Sequence, residues 1–241
     1  MRIAIIGTGY VGLVTGSCLA EVGHHVVCID NDERKIKGLR SGRIPIYEPG
    51  LDELVHGNVS AHRLAFSTRI AEGVDNSEVI FIAVPTPPHT NGSVDLTYIE
   101  RVAREIAYSL KEYRVIVDKS TVPVRTGEKV ADTIRRYNRT GAQFDVVSNP
   151  EFLREGCALT DLMEPDRIVI GCNGERALAM PSSFWLRPRN AMVIPWCIPK
   201  TRTIGGMSIR SAREAYTMKL NVLPRPLPWL TIDITRWIRR S

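Results

Sequence analysis

Gly7-Thr8-Gly9-Tyr10-Val11-Gly12 reads G-x-G-x-x-G and stands directly after the short apolar run Arg2–Ile6. A run of that length ending in a glycine cluster is a buried parallel strand. The small and apolar residues from Tyr10 to Val22 then suit a helix packed closely on a sheet, and Gly23 stops it. His25–Asp30 is a second strand, whose last residue lies 18 positions past Gly12. Strand, glycine turn, helix, strand and acid together form a dinucleotide-binding constellation. Gly7 permits the tight turn, Gly9 lets a pyrophosphate approach the backbone, and Gly12 lets helix and strand pack closely. The first helical turn, at Tyr10 and Val11, offers free N–H groups and partial positive charge to phosphates. Asp30 accepts from ribose hydroxyls and repels a 2′-phosphate, which selects NAD over NADP. Lys35 is within reach of the adenosine end, a solvated surface lysine being the plain alternative.

The alternation continues along the chain. Asp32–Arg40 reads as a charged helix ended by Ser41-Gly42, Ile44–Pro49 as a loop, and Gly50–Val55 as a short helix. Strands follow at Glu78–Val84, Arg114–Asp118, Phe144–Ser148 and Arg167–Gly171, with helices at Asp95–Leu110 and Arg125–Tyr137. Strand and helix in turn, joined by short connections, predict an α/β fold: a doubly wound parallel sheet. The longest apolar runs, Ile3–Ile6 and Val79–Val84, fall far short of the roughly 20 residues a spanning helix needs. Arg2 precedes a run that glycines break at once, so the N-terminus reads as a first strand and not a signal peptide. Five scattered cysteines without a C-x-x-C pair predict reduced thiols in a cytoplasmic protein. The five histidines show no metal-ligand spacing, and no metal is expected.

The net charge of +6 hides two compositions. Residues 177–241 hold 11 Lys and Arg against two acids, all four tryptophans and seven of the 15 prolines. Those prolines interrupt each candidate element there, and Ser208–Leu220 is the only plausible helix. The expectation is an NAD-binding domain over 1–176 and a basic tail over 177–241, disordered or out of frame. An alternative is a tail that binds nucleic acid or another anionic partner through arginines and interleaved tryptophans.

The segments Tyr47–Leu51 (YEPGL), Lys119–Pro123 (KSTVP) and Asn149–Gly156 (NPEFLREG), in that order behind the glycine loop, carry more than a fold. Residues 1–176 resemble the N-terminal half of the UDP-glucose 6-dehydrogenases of the UDP-glucose/GDP-mannose dehydrogenase family. The resemblance implies oxidation of a sugar C6 alcohol to the carboxylate with two NAD⁺, through a cysteine-bound intermediate. It implies that Val11, Asp30, Lys35, Thr86, Thr121 and Glu155 contact the cofactor. It further implies that Thr121 fixes an active-site water, that Glu151 is the general base, and that Glu151, Phe152, Leu153, Arg154 and Glu155 form the substrate segment. From the residues alone, Glu151 reads first as a helix-start carboxylate, since Asn149-Pro150 precedes it. The family has glycine where Arg125 stands, so a positive φ there would be strained.

The family's second half supplies a lysine, an asparagine, the nucleophilic cysteine, a neighbouring aspartate and the dimer helix. None is recognisable after residue 177, and Cys197 lacks the surrounding glycines. Three functions remain open. One is a UDP-glucose 6-dehydrogenase chain truncated or frameshifted and inactive as written, or the same for GDP-mannose or UDP-N-acetylmannosamine. The others are a free-standing NAD module with a basic tail, and a non-catalytic partner of a full-length subunit.

Overall fold

Strands β1 (Arg2–Ile6) and β4 (Val79–Ile82) are apolar at almost every position, so both faces of their sheet must be covered. The computed structural model describes residues 1–120, 122–123, 125–165 and 167–172 and the backbone of 192–197. Its sheet has the order β3-β2-β1-β4-β5-β6-β7-β8, with β2 at His25–Ile29, β3 at Leu64–Ser67, β5 at Arg114–Asp118 and β6 at Phe144–Ser148. The last two strands are β7 (Arg167–Cys172) and β8 (Met192–Cys197). The first six run parallel in the order of a dinucleotide-binding sheet, which reverses direction of build between β1 and β4. No helix among the described residues is long and apolar enough to cross a membrane.

Alternation along β1 sends Ile3 and Ile5 to one face and Ala4 and Ile6 to the other. On the first face, Ile3 and Ile5 join a core built with α1 (Tyr10–Glu21), α2 (Glu33–Arg40), α3 (Leu51–Ser60) and α7 (Ala158–Met163). Ala4 and Ile6 join the second core with α4 (Ile70–Asn76), α5 (Thr97–Ser109) and α6 (Thr126–Tyr137). Helix α1 is buried without a break from Gly12 to Ala20, because it lies on the sheet and under α3 and α7 at once. Its small residues make that possible: a β-carbon on Gly16 would run into the sulfur of Cys28.

The structure departs from the sequence expectation in five places, one of them the helix α7, which the sequence reading did not include. β3 and α4 fill the gap between residues 60 and 78, where four- and seven-residue elements are too short to show a period. α3 continues to Ser60. β7 pairs antiparallel with β6, because α7 is too short to carry the chain back across the sheet. β8 adds to β7 in parallel at a position where no element was expected, and Pro195 within it is compatible with an edge strand. The compact unit that holds the sheet is Met1–Pro199. Thr121, the expected helix Ser208–Leu220 and most of the basic stretch 177–241 lie outside the described residues.

Candidate functional site

A hydrogen-bond ladder brings the loops of four parallel strands to one edge. Gly7 N–H donates to Ile29 O at 2.7 Å, Ala83 N–H to Ile6 O at 2.8 Å, Lys119 N–H to Ile82 O at 3.0 Å and Asn149 N–H to Asp118 O at 2.8 Å. Each loop therefore starts one residue past its strand, pinned to its neighbour. Ligands of open α/β sheets bind outside the carboxyl ends of the strands, at the crevice where the order switches.

At that crevice Gly7 adopts φ 108°, and a β-carbon there would meet the carbonyl of Ala83. A β-carbon on Gly12 would run into the carbonyl oxygen of Gly7, so this glycine accommodates the loop itself as much as the strand. The first helical bond of α1 is Leu13 N–H to Gly9 O at 2.9 Å, which leaves the N–H groups of Tyr10, Val11 and Gly12 ahead of it. Gly9 is exposed, provides no side-chain cap, and has open space where a β-carbon would stand. A pyrophosphate fits such a turn.

Asp30, just past β2, faces the same turn. Its Oδ2 accepts the Thr8 N–H at 3.0 Å, the Thr8 hydroxyl at 2.6 Å and Lys35 Nζ at 2.9 Å, and its Oδ1 accepts the Asp32 N–H at 3.1 Å. Burial pushes its pKa up, but the bonds from Thr8, Asp32 and Lys35 outweigh it and hold the carboxyl below the usual range. Lys35 is thus an ion-pair partner of Asp30 and not a solvated surface lysine. Thr86, four residues past β4, is half-buried in the neighbouring loop.

The loop after β5 carries Asp118-Lys119-Ser120, all at least partly buried. Asp118 Oδ1 accepts the Ser120 N–H at 3.2 Å, while Oδ2 is buried with no hydrogen-bond partner among the described residues. Burial pushes Asp118 up to about 7. Lys119, 4% exposed, is pushed down to about 8 by burial, against the pull of the nearby Glu151 charge. Its Nζ lies 3.4 Å from Asn149 Oδ1, and a cavity of about 50 Å³ there is lined by Lys119, Asn149, Phe152, Leu153 and Asp161. Arg125, at the entry to α6, has φ 72°, so the arginine does occupy the left-handed conformation that suits glycine.

The segment Glu151–Glu155 leads from β6 to α7. Glu151 Oε2 accepts the Leu153 N–H at 3.0 Å, which turns the chain at its start. Phe152 is exposed, and Leu153 packs against the first core. Arg154 forks onto Asp161, with NH2 to Oδ1 at 2.6 Å and Nε to Oδ2 at 3.0 Å, and holds the Asp161 carboxyl below its usual range. The Tyr10 phenol is pushed up chiefly by burial, and the charge of Glu155 adds to this less than any other cause does.

Sequence reading missed Glu48 altogether. This buried carboxylate accepts the Tyr10 hydroxyl at 2.5 Å, the Gly156 N–H at 2.8 Å and the Ala158 N–H at 2.8 Å. Burial and the Glu48 bond push the Tyr10 phenol far up, so what Tyr10 offers a dinucleotide is its backbone N–H. Asp161 was missed as well. The only available signal was the Y-E-P-G-L segment itself, which names Glu48 without naming its partners. Cys18 and Cys28 are buried thiols pushed up to about 12 by burial, the setting of structural cysteines.

With this geometry in hand, comparison with known proteins is specific. The model of the UDP-glucose/GDP-mannose dehydrogenase family, NAD binding domain, matches residues 1–186. UDP-glucose 6-dehydrogenase TuaD of Bacillus subtilis is 51% identical over 215 residues, 89% of this chain and 45% of the relative. The UDP-glucose 6-dehydrogenase of Rhizobium meliloti is 54% identical over 175 residues, 72% and 40% of the two chains. A UDP-glucose dehydrogenase structure from Pyrobaculum islandicum has a TM-score of 0.77 at 40% identity, covering 80% of this chain and 46% of that one. A ternary complex of GDP-mannose dehydrogenase from Pseudomonas aeruginosa has a TM-score of 0.78 at 34% identity, covering 91% and 49%. The chain thus spans less than half the length of the relatives it matches, and the half it spans is the NAD-binding one, with NAD as its cofactor.

Proposed function

The chain belongs to the UDP-glucose/GDP-mannose dehydrogenase family, and from that premise we propose that it is the cofactor-binding half of a cytoplasmic UDP-glucose 6-dehydrogenase. The observation that supports this reading is the shared edge, where Tyr10 of the glycine loop after β1 and the Gly156–Ala158 turn that follows the Glu151–Glu155 segment come together on Glu48. NAD, when bound, accepts the hydride from the sugar. The N–H groups of Tyr10, Val11 and Gly12 hold the pyrophosphate, with Gly7 and Gly9 keeping the turn tight and open. Asp30 accepts from the adenosine ribose, and its charge, fixed by Thr8 and Lys35, turns away a 2′-phosphate. Thr86, Thr121 and Glu155 complete the cofactor contacts. Glu151 takes a proton from the attacking water that Thr121 fixes, and Phe152, Leu153 and Arg154 border the nucleotide sugar. Arg154 is held for that purpose by Asp161.

In this reading the domain is residues 1–176, the basic stretch 177–241 has no part in cofactor binding, and neither nucleic acid nor a membrane is a partner. Calorimetry on the 241-residue chain should show NAD binding, NADP binding much more weakly, and no NADH formation with UDP-glucose. A chimera of residues 1–172 with the carboxyl-terminal half of the Bacillus subtilis relative should reduce two NAD per UDP-glucose. Glu151→Ala in that chimera should lower kcat by a factor of about 10²–10⁴. A chimera that binds NAD and oxidises GDP-mannose in preference would reassign the substrate, and a chain that binds no NAD would end the reading.

A further inference from the structure

We propose that Glu48 is a positioning residue that links the ordering of Arg154–Ala158 to occupation of the glycine loop by NAD, a proposal that rests on the reading of Gly7–Gly12 above. No chemical role falls to Glu48 in that reading, yet it is only 5% exposed and sits between the first turn of α1 and the turn into α7. Its Oε2 accepts both the Tyr10 hydroxyl at 2.5 Å and the Gly156 N–H at 2.8 Å, while Oε1 accepts the Ala158 N–H at 2.8 Å. Tyr10 is the first residue of α1, in the turn that receives the pyrophosphate. Gly156, at φ 86°, and Ala158, the first residue of α7, end the segment that borders the sugar.

The donors named are a phenol and two backbone amides, all neutral. A carboxylate buried among neutral donors stays ionised only while those donors stay in place, and stripping one from a buried charge is costly. Displacing the 156–158 turn would remove two of them, and displacing the first turn of α1 would remove the third. Each side is therefore held by the other through one carboxylate. A ligand that fixes the first turn of α1 also fixes Tyr10, and through Glu48 the turn into α7. Linkage makes the effect reciprocal: whatever orders the segment tightens the loop's hold on the cofactor.

The test is hydrogen exchange on the full chain, with and without saturating NAD, for the wild type, Glu48→Gln and Tyr10→Phe. In the wild type, NAD should slow exchange over Arg154–Leu159 on the order of tenfold. Glu48→Gln should speed exchange there without NAD and abolish the NAD-dependent slowing. Tyr10→Phe, which leaves Glu48 in place to hold Gly156 and Ala158, should keep the protection seen without NAD and lose only the NAD-dependent part. Unchanged protection of β4 and β5 peptides shows that each variant is folded, and Tyr10→Phe serves if Glu48→Gln is not. Equal slowing by NAD in the wild type and both variants would overturn the proposal. NAD that binds the wild type without slowing the segment would overturn it alone, whereas no NAD binding would overturn the reading of the loop as well.

Discussion

Asp30 and Asp118 both lie at the carboxyl ends of parallel strands, Asp30 one residue past β2 and Asp118 the last residue of β5, and they behave oppositely. Asp30 follows β2 beside the glycine loop, where Thr8, Asp32 and Lys35 all donate to it and keep it ionised. Asp118 ends β5 at 1% exposure, and among the described residues it takes one hydrogen bond, from Ser120 N–H, with its other oxygen left buried without a partner. Its pKa rises to about 7. Lying at a strand's carboxyl end does not decide the charge of such a residue; its burial and the number of donors turned towards it do. The β2 side is built to hold a charge, and the β5 side holds a carboxyl that titrates near neutrality.

The largest effect should come from removing that buried carboxyl. Because the folded-state pKa lies above the ordinary aspartate value, the native state binds the proton more tightly than the unfolded chain does. Asp118 then costs stability progressively as pH rises from about 4 to about 7, and the cost is constant above that. Asp118→Asn should match the wild type near pH 4 and exceed it at pH 8 by on the order of 2–4 kcal/mol. Urea unfolding at both pH values measures this, and a variant less stable than the wild type at pH 8 would erase the contrast between the two aspartates.

The next effect belongs to Asp30. Asp30→Ala removes a charge-assisted acceptor and leaves Lys35 without this partner, so NAD affinity should fall by about 10–100-fold. NADP should lose less, or gain, because its phosphate then meets a lysine instead of a carboxylate. Calorimetry with both cofactors checks it, and an unchanged ratio of affinities would remove Asp30 from the ribose. The smallest effect is on the β5 side again. Arg125→Gly relieves a left-handed residue and loses only an exposed pair with Glu128, worth little at the surface. Stability should rise by about 1 kcal/mol, read as a shift in the urea midpoint at constant slope.

The same two regions differ in how far they could be read from sequence. The β1-to-β2 unit was legible because its parts lie within 30 residues and each has a local cause: apolar run, glycine turn, small-residue helix, acid. The strain at Arg125 was legible only through the resemblance, which puts glycine there, and the positive φ itself came from the structure. The role of Lys35 was half visible; its spacing from Asp30 hinted at the adenosine end, but only packing made it the ion-pair partner. Elements such as Leu64–Ser67 and Met192–Cys197 escaped because they are short edge strands whose partners lie far along the chain. The pairing of Arg154 with Asp161 escaped because a turn between them, not a helical period, brings them together.

What the sequence by itself determined is the fold class and the glycine loop with the acid that follows it, because each follows from steric and periodic rules acting over neighbouring residues. What only the tertiary structure decided is which of the other charged groups matter. Glu48 draws its donors from residues 10, 156 and 158, and Asp118 is left short of donors by loops that the sequence could not place. Burial and hydrogen-bond count set the state of a carboxyl, and both are properties of how distant segments pack, not of the residues on either side of it.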